Sequence, residues 1–114
     1  MMLGKEDRAL LMTTAWLFAR HGQSARARAL CEVLVEENPK DGVAAIAAAD
    51  LMLEDNDAPA ALKVLRRTEC PTGMERAAAL LETRALVALG RRDEGAHRWR
   101  RYVNSVSAER KWVR

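Results

Sequence analysis

Small residues recur at a fixed spacing of 34 positions along this 114-residue chain. Two sets of three residues share the interval: Gly22, Asn56 and Gly90, and, five positions later, Ala27, Ala61 and Gly95. Small residues allow a tight turn to adopt positive φ, and they allow paired helices to approach closely. The spacing therefore predicts three repeats, each made of a helix, a turn and a second helix.

A 34-residue period of helix, turn and helix is typical of tetratricopeptide repeats (TPRs). Alanine and leucine dominate the composition while β-branched residues are sparse, which favours helix over strand. We therefore predict an all-α fold: three TPR-like helix hairpins forming a short right-handed superhelical stack. The repeats are expected at about 8–41, 42–75 and 76–109 of a single domain, 1–114, with a short basic C-terminal tail.

Residues with capping side chains mark the predicted starts of three helices. Ser24 and Asp57 can each accept a hydrogen bond from a backbone N–H group of the first helical turn. The segment Thr72–Glu75 matches a Thr-x-x-Glu capping box at the start of the third repeat. We interpret Asn104–Arg114 as a polar tail that can add a last helical turn or two.

The sequence also predicts where the protein works. Its N-terminus carries charged residues where a signal peptide would need an apolar stretch. The longest apolar run, Val43–Ala49, is far shorter than a membrane span. We therefore expect a cytoplasmic protein that does not insert into membranes.

No pattern of reactive side chains points to catalysis. The two histidines, His21 and His97, belong to no cluster of cysteines and carboxylates with metal-ligand spacing. The glycines form neither a phosphate-binding loop nor a dinucleotide-binding motif. The two cysteines, Cys31 and Cys70, give no disulfide framework. We predict that the protein is not an enzyme and uses no cofactor or metal.

The repeat register predicts a binding surface, because the first helix of each TPR hairpin lines the concave face of the stack. Nine residues are predicted to contact a partner: Met12, Trp16, Ala19, Ile46, Asp50, Leu53, Leu80, Arg84 and Val87. The set is mostly apolar, with Asp50 and Arg84 placed as a central polar pair. Large apolar side chains expected to be exposed on this face are Trp16, Ile46, Leu53 and Leu80. A soluble monomer has little reason to expose these four together, so we interpret the face as a groove for an apolar segment of a partner protein.

Two alternatives to a partner groove stay open. The same residues could pack against the terminal segments of the chain, or they could form a homodimer. TPR arrays usually end in a capping helix with a polar face, and the basic tail is a poor cap. An uncapped end favours a partner or a second copy, so we expect self-association when no partner is bound.

The C-terminal region is strongly basic. From Arg91 to Arg114 there are eight Arg and Lys residues against three acidic ones, a net charge of 8 − 3 = +5, whereas the whole chain has +3. The segment Trp99–Tyr102 interleaves aromatic residues with arginines, as a nucleic-acid surface can. However, Trp99 and Tyr102 fall at inward positions of the last helix, which leaves the arginines in solvent. We expect an acidic protein partner here and no nucleic acid.

Several local matches extend over about Leu10–Val103. They are Leu10-Leu11, Ala15-Trp16-Leu17, His21–Ala27, Asn38-Pro39, and the stretch from Leu89 through Tyr102. In these residues and in length, the chain resembles the YscY (SctY) chaperones of bacterial type III secretion. The step around Trp16 and the three-repeat size are the most selective features. The alanine-rich second repeat departs from the family pattern.

The resemblance implies a cytoplasmic, ATP-independent chaperone of a type III secretion system. It would hold a small secreted protein similar to YscX (SctX) until export, and the pair would engage the export gate protein. Two further interpretations stay open. One is another TPR-type secretion chaperone, for a needle subunit or a translocator, and the other is a generic TPR adaptor between proteins.

Overall fold

The computed structural model describes residues 4–112, with side chains described as far as Glu109, and this part of the chain forms α-helices without any strand. The helices are α1 (Lys5–Arg20), α2 (Ser24–Glu37), α3 (Gly42–Glu54), α4 (Ala58–Arg67), α5 (Glu75–Ala88) and α6 (Arg92–Trp112). Each helix packs on the next one along the chain, and α3 also contacts α5. The predicted all-α character is therefore confirmed. None of these six helices is both long and apolar enough to cross a membrane.

The first helix of each consecutive pair ends in the same turn. Gly22, Asn56 and Gly90 all have positive φ angles, of 74°, 59° and 78°. In each turn, an N–H group donates to the carbonyl oxygen five residues earlier over 2.8 Å. These bonds join Gln23 to Phe18, Asp57 to Met52 and Arg91 to Leu86. This is the longer bond of a Schellman motif, and it stops each helix at the same point of the 34-residue period.

The second set of small residues occupies closely packed positions in α2, α4 and α6. Ala27 and Ala61 are fully buried, and Gly95 is buried as well. A Cβ atom added to Gly95 would lie 3.2 Å from Val87 Cγ2 and 3.3 Å from the carbonyl oxygen of Thr83. Helix α6 therefore packs closely on α5 at Gly95, and a larger residue there would require its neighbours to shift by a few tenths of an ångström.

Aspartates cap the two helices of the second pair. The side chain of Asp57 accepts a hydrogen bond from the N–H group of Ala60 over 3.3 Å, which confirms the predicted cap of α4. Asp41 caps α3 in the same way, accepting from Ala44 over 3.2 Å. Each cap satisfies one of the N–H groups that a helix leaves unpaired at its start.

The other two predicted caps are wrong. Ser24 is the first helical residue of α2, because the preceding turn places Gln23 at the N-cap, where it makes no side-chain bond to the helix. Helix α5 begins later than the Thr72 box requires. Met74 occupies its N-cap without a side-chain bond, and the Glu75 carboxylate accepts from the N–H group of Gly73 instead.

Of the predicted polar tail, the residues from Asn104 to Trp112 are helical and extend the last helical turns that the sequence predicts there. Helix α6 continues without a break to Trp112. The physical reason is composition, because the chain contains neither glycine nor proline after Gly95. Trp99 and Tyr102 of this helix are half-buried, and their ring centroids lie 5.4 Å apart.

The core lies chiefly around α3, the helix in contact with α2, α4 and α5. Eight of its 13 residues are buried, and four of those eight are alanines. Its start is also tightly enclosed, since a Cβ atom on Gly42 would lie 2.6 Å from the Glu69 carbonyl oxygen and from the ring of Pro71. The alanine-rich second repeat therefore allows close helix packing, which places α3 between α1 and α5.

Candidate functional site

Two adjoining clefts open along the first helices of the three pairs. The larger has a volume of about 380 Å³ and is lined mainly by α3 and α5. The smaller, of about 170 Å³, is lined mainly by α1 and α3. Ala47 and Asp50 of α3 line both clefts. We therefore treat the two as one surface, which we call the α1–α3–α5 groove.

Most of the residues predicted from the repeat register line this groove. Met12, Trp16 and Ala19 line the smaller cleft, Ile46, Leu80 and Arg84 line the larger one, and Asp50 lines both. The two exceptions, Leu53 and Val87, line neither cleft. Leu53 is half-buried against the core, and the Val87 side chain faces Gly95 of α6. Both lie close to the end of their helix, next to the turn.

The large apolar side chains of the groove differ in exposure. Trp16 is 56% exposed and Leu80 is 45% exposed, as predicted. Ile46 is only 8% exposed, because α3 packs against α2, α4 and α5. Only a small part of the Ile46 side chain reaches the cleft. The expectation of four large apolar side chains exposed together is thus too broad. It holds for Trp16 and Leu80, and it is wrong for Ile46 and Leu53.

The sequence prediction also missed residues that line the groove. In the larger cleft these are Val43, Ala47, Met74, Ala77 and Leu81, and in the smaller cleft they are Ala15, Cys31 and Leu51. Val43 and Ala47 could have been found, because they are seven and three positions before Asp50 and so share its helix face. Met74 is the N-cap of α5, three and seven positions before Ala77 and Leu81, and so it continues their line along that helix.

Charged groups lie at the centre of the groove and beside its α1 end. At the centre, Arg84 Nη1 is 3.8 Å from Asp50 Oδ1, and each side chain is about half exposed. That distance exceeds a hydrogen bond. At the α1 end, the guanidinium of Arg20 lies 4.8 Å from the centre of the Trp16 ring, a cation–π contact. Among the described residues, the linings of the two clefts carry one positive and one negative side chain, Arg84 and Asp50.

A much tighter ion-pair network lies outside the groove and joins the first two helix pairs. Arg28 of α2 donates to Glu32 over 2.8 Å, to Asp57 over 2.7 Å and to Asp55 over 3.1 Å. The hydrogen bond from Arg28 is the main reason that the pKa of Asp57 lies below its ordinary value. The carboxylates in turn raise the pKa of Arg28, Glu32 most of all. This network fixes α2 to the turn before α4.

A second ion pair fixes α1 to the start of α3. Arg8 donates two hydrogen bonds to the Asp41 carboxylate, one of them from Nη2 over 2.7 Å. Since Asp41 also caps α3, one carboxylate connects two helices. The Arg8 hydrogen bond is the main cause of the lowered pKa of Asp41. Both ion-pair systems thus hold helices together and lie apart from the two clefts.

The groove offers little reactive chemistry. Cys31, in the wall of the smaller cleft, is buried, and burial raises the pKa of its thiol. It therefore stays protonated and packs as a small apolar group. Within residues 4–112, no group of three or more His, Cys, Asp or Glu side chains is arranged to hold a metal ion. The surface is suited to burying apolar side chains.

Comparison with known proteins gives no family for this chain. No protein-family model matches the sequence, and no curated protein matches it. The groove is therefore the feature from which a function can be inferred.

Proposed function

We propose that this protein binds an apolar segment of a partner protein in the α1–α3–α5 groove. The observation that supports this most directly is the pair of adjoining apolar clefts, with Trp16 and Leu80 exposed at their walls. Partly exposed aromatic side chains beside apolar clefts are characteristic of interfaces, where Trp contributes most to affinity. Grooves between helices accept helical segments in several well-understood complexes.

We further infer that the three helix pairs are TPR-like repeats in a right-handed superhelical stack, with the groove on its concave side. Three observations support this arrangement. The turns repeat every 34 residues with equivalent hydrogen bonds, the small residues repeat at the same interval, and the first helices of all three pairs contribute to one groove. Stacked repeats expose extended concave surfaces of this kind.

For the biological role, we propose a cytoplasmic chaperone of a bacterial type III secretion system. The resemblance to the YscY family suggests a small secreted partner similar to YscX, held until export, with the export gate protein as a second partner. An open groove of modest size suits a client that must be released again. A chaperone for a needle subunit or translocator, and a generic TPR adaptor, are the competing assignments, and the identity of the partner separates them.

Co-expression with the small proteins encoded beside this one, followed by size-exclusion chromatography, tests the proposal. We expect one defined complex that Trp16→Ala disrupts. Leu10→Ala is the matched control, because Leu10 is also an exposed apolar residue of α1, at 64% exposure, and lines neither cleft. The complex should survive this control. A complex that tolerates Trp16→Ala would contradict the groove.

The oligomeric state distinguishes a partner from a second copy of the chain. If a second copy occupies the groove, light scattering across protein concentrations will show a dimer that Trp16→Ala dissociates. If a partner occupies it, adding that partner will convert any self-associated form into a small heteromeric complex with a higher melting temperature. A free protein that stays monomeric, with a melting temperature that no co-encoded protein changes, would favour a self-sufficient domain.

A further inference from the structure

We propose that copies of this chain stack end to end, with an exposed face of α6 in one copy covering an exposed face of α1 in the next. The α1 end face consists of Leu10, Thr13 and Leu17, and the α6 end face consists of Ala96 and Val103. The contact continues, between copies, the packing that joins one helix pair to the next within the chain. Neither end face lines the α1–α3–α5 groove, so this inference does not depend on the proposed function.

The positions of the α1 end face are covered in the second and third helix pairs. Leu17 and Leu51 occupy the same position of the 34-residue period, yet Leu17 is 45% exposed and Leu51 is 7% exposed. Leu10 is 64% exposed, whereas the equivalent residues Ala44 and Ala78 are buried. The same positions of the period therefore differ in burial between α1 and the later first helices.

The preceding helix pair accounts for this difference. Helix α3 contacts α2, and α5 contacts α4, so each packs on the second helix of the pair before it. Helix α1 packs chiefly on α2 of its own pair, and no helix precedes it in the described residues. A following pair is not needed for this burial. Ala78 and Ala85 of α5 are buried, although no pair follows α6 within residues 4–112.

The α6 end face shows the same difference at the other end of the molecule. Val35 of α2 and Val103 of α6 are two periods apart, and their side chains are 9% and 42% exposed. Leu62 of α4 is buried, whereas Ala96, its equivalent in α6, is exposed. Helix α2 packs on α1 and α3, but α6 packs chiefly on α5. The first helix of a following pair is therefore what α6 lacks.

The two end faces are the two halves of one kind of contact. Within the chain, the second helix of a pair covers the first helix of the next pair, at α2 with α3 and at α4 with α5. A second copy would supply the missing half at each end, and the contact would remove Leu10, Leu17 and Val103 from water. Repeat arrays normally end in polar faces that keep them soluble, so apolar residues at both ends favour a further copy.

The charges of the two ends favour this orientation. Only residues 38–41 separate α2 from α3, so the end of a covering helix lies beside the start of the helix that it covers. The end of α6 would then lie beside the start of α1 in the next copy. The region from Arg91 onwards has a net charge of +5, and the first turn of α1 carries Glu6 and Asp7. Opposite charges favour this contact over one between two α1 end faces.

The contact joins two different faces, so it is heterologous. Each added copy leaves one α1 end face and one α6 end face free, and such contacts form open chains unless they close into a ring. We therefore expect a molar mass that keeps rising with protein concentration beyond that of a dimer. High salt should weaken the association, because the charges at the two ends are exposed.

Two blocked variants test the orientation by sedimentation velocity. Leu17→Glu blocks the α1 end face, and Val103→Glu blocks the α6 end face. Stacking would bury either new charge without a partner, so each variant alone should associate at least about tenfold more weakly than the parent. A mixture retains one good contact, between the α6 end face of the first variant and the α1 end face of the second. The mixture should therefore form a dimer and nothing larger.

Two controls should associate like the parent. Val33→Glu introduces the same charge at a position of α2 that is 49% exposed, and its equivalents Arg67 and Arg101 are exposed as well. Trp16→Ala changes the groove and leaves both end faces intact. Thermal melting checks that each blocked variant is folded. If either melts early, Leu10→Glu and Ala96→Glu block the same two faces at other exposed positions.

Each contrary result is specific. A parent that stays monomeric at every concentration would overturn the stacking, and so would a mixture that forms no dimer. Dimers of Val103→Glu alone would mean that two α1 end faces meet, which overturns the orientation. Association that Trp16→Ala abolishes and Leu17→Glu preserves would place the second copy in the groove. None of these results changes the co-expression test of the groove, because that test depends on a different surface.

Discussion

The groove and the ion-pair networks outside it satisfy their polar groups in opposite ways. Outside the groove, Arg28 makes three hydrogen bonds of 2.7–3.1 Å to carboxylates, and Arg98 of α6 donates to Glu82 of α5 over 3.0 Å. Inside the groove, the one ion pair among the described side chains is the 3.8 Å contact between Arg84 and Asp50. Apolar walls remain open only a few ångströms from that pair.

This difference separates the part of the surface that maintains the fold from the part that is available for binding. A charged group that already has short, multiple partners gains little from a ligand. A charged group that is half exposed and loosely paired can exchange its partner at low cost. Exposed apolar side chains are available for binding in the same way. Trp16 and Leu80 face water, so a partner that covers them gains the free energy of removing their apolar surface from water. The four predictions below test this separation.

The largest effect on stability is expected in the closely packed positions. Ala61 of α4 is fully buried, so Ala61→Leu should overpack the second helix pair and lower the free energy of unfolding by roughly 1–3 kcal/mol. Urea denaturation measures this. Ala25→Leu makes the same change at an exposed position of α2 and should leave stability nearly unchanged. Equal stability of the two variants would mean that the packing register is wrong.

The next effect concerns affinity. Trp16→Ala should weaken partner binding by about 2 kcal/mol, because a large aromatic side chain at an interface contributes most to affinity. Isothermal titration calorimetry measures the affinity, and thermal melting provides the control. Since more than half of the Trp16 side chain is exposed, the free protein should melt close to the parent. Equal losses of stability and affinity would make Trp16 a core residue.

A smaller effect compares the two kinds of ion pair directly. Arg28→Ala should lower the free energy of unfolding by about 1 kcal/mol, because it removes a network with three carboxylates. Arg84→Ala should lower it by less than about 0.5 kcal/mol, because its pair is long and exposed. Urea denaturation of both variants provides the comparison. Equal losses would remove the distinction between the groove and the network.

The smallest expected effect is a loss of stability at low pH. The pKa of Asp57 is lowered in the folded state, chiefly by its hydrogen bond with Arg28. The resulting stability is fully present above the unfolded pKa of about 4 and is lost as the pH falls through the lower folded pKa. Because Asp57 is partly exposed, the loss should be a few tenths of a kcal/mol. Urea denaturation between pH 6 and pH 3 should show a smaller decline in Arg28→Ala than in the parent.

The sequence located most of the groove because the period of the chain relates equivalent positions in different helices. The 34-residue register alone brings Trp16, Asp50 and Arg84 onto one surface. It failed at Leu53 and Val87, near the ends of their helices, where the following turn and α6 alter the surroundings. It also missed Met74, which occupies the N-cap directly before its helix.

The helix caps show the same difference between what nearby residues determine and what residues distant in sequence determine. The cap at Asp57 was predictable, because its side chain acts on the helix that begins at the next residue. The misassigned cap at Ser24 depended on where the preceding turn ends, one residue earlier than the sequence pattern suggested. The pairing of Asp41 with Arg8 joins residues 33 positions apart, and no local pattern indicates it.

The sequence alone determined the helices, the three equivalent turns and the closely packed small positions. Each of these depends on what a residue allows its own backbone and its near neighbours to do, as the positive φ angles of Gly22, Asn56 and Gly90 illustrate. Only the tertiary structure decided which apolar side chains stay uncovered and which charges are tightly paired. Ile46 and Leu80 are similar in polarity, yet one is buried and the other is exposed. Exposure is set by helices distant in sequence that pack around a residue, so it emerges only when the whole chain is folded.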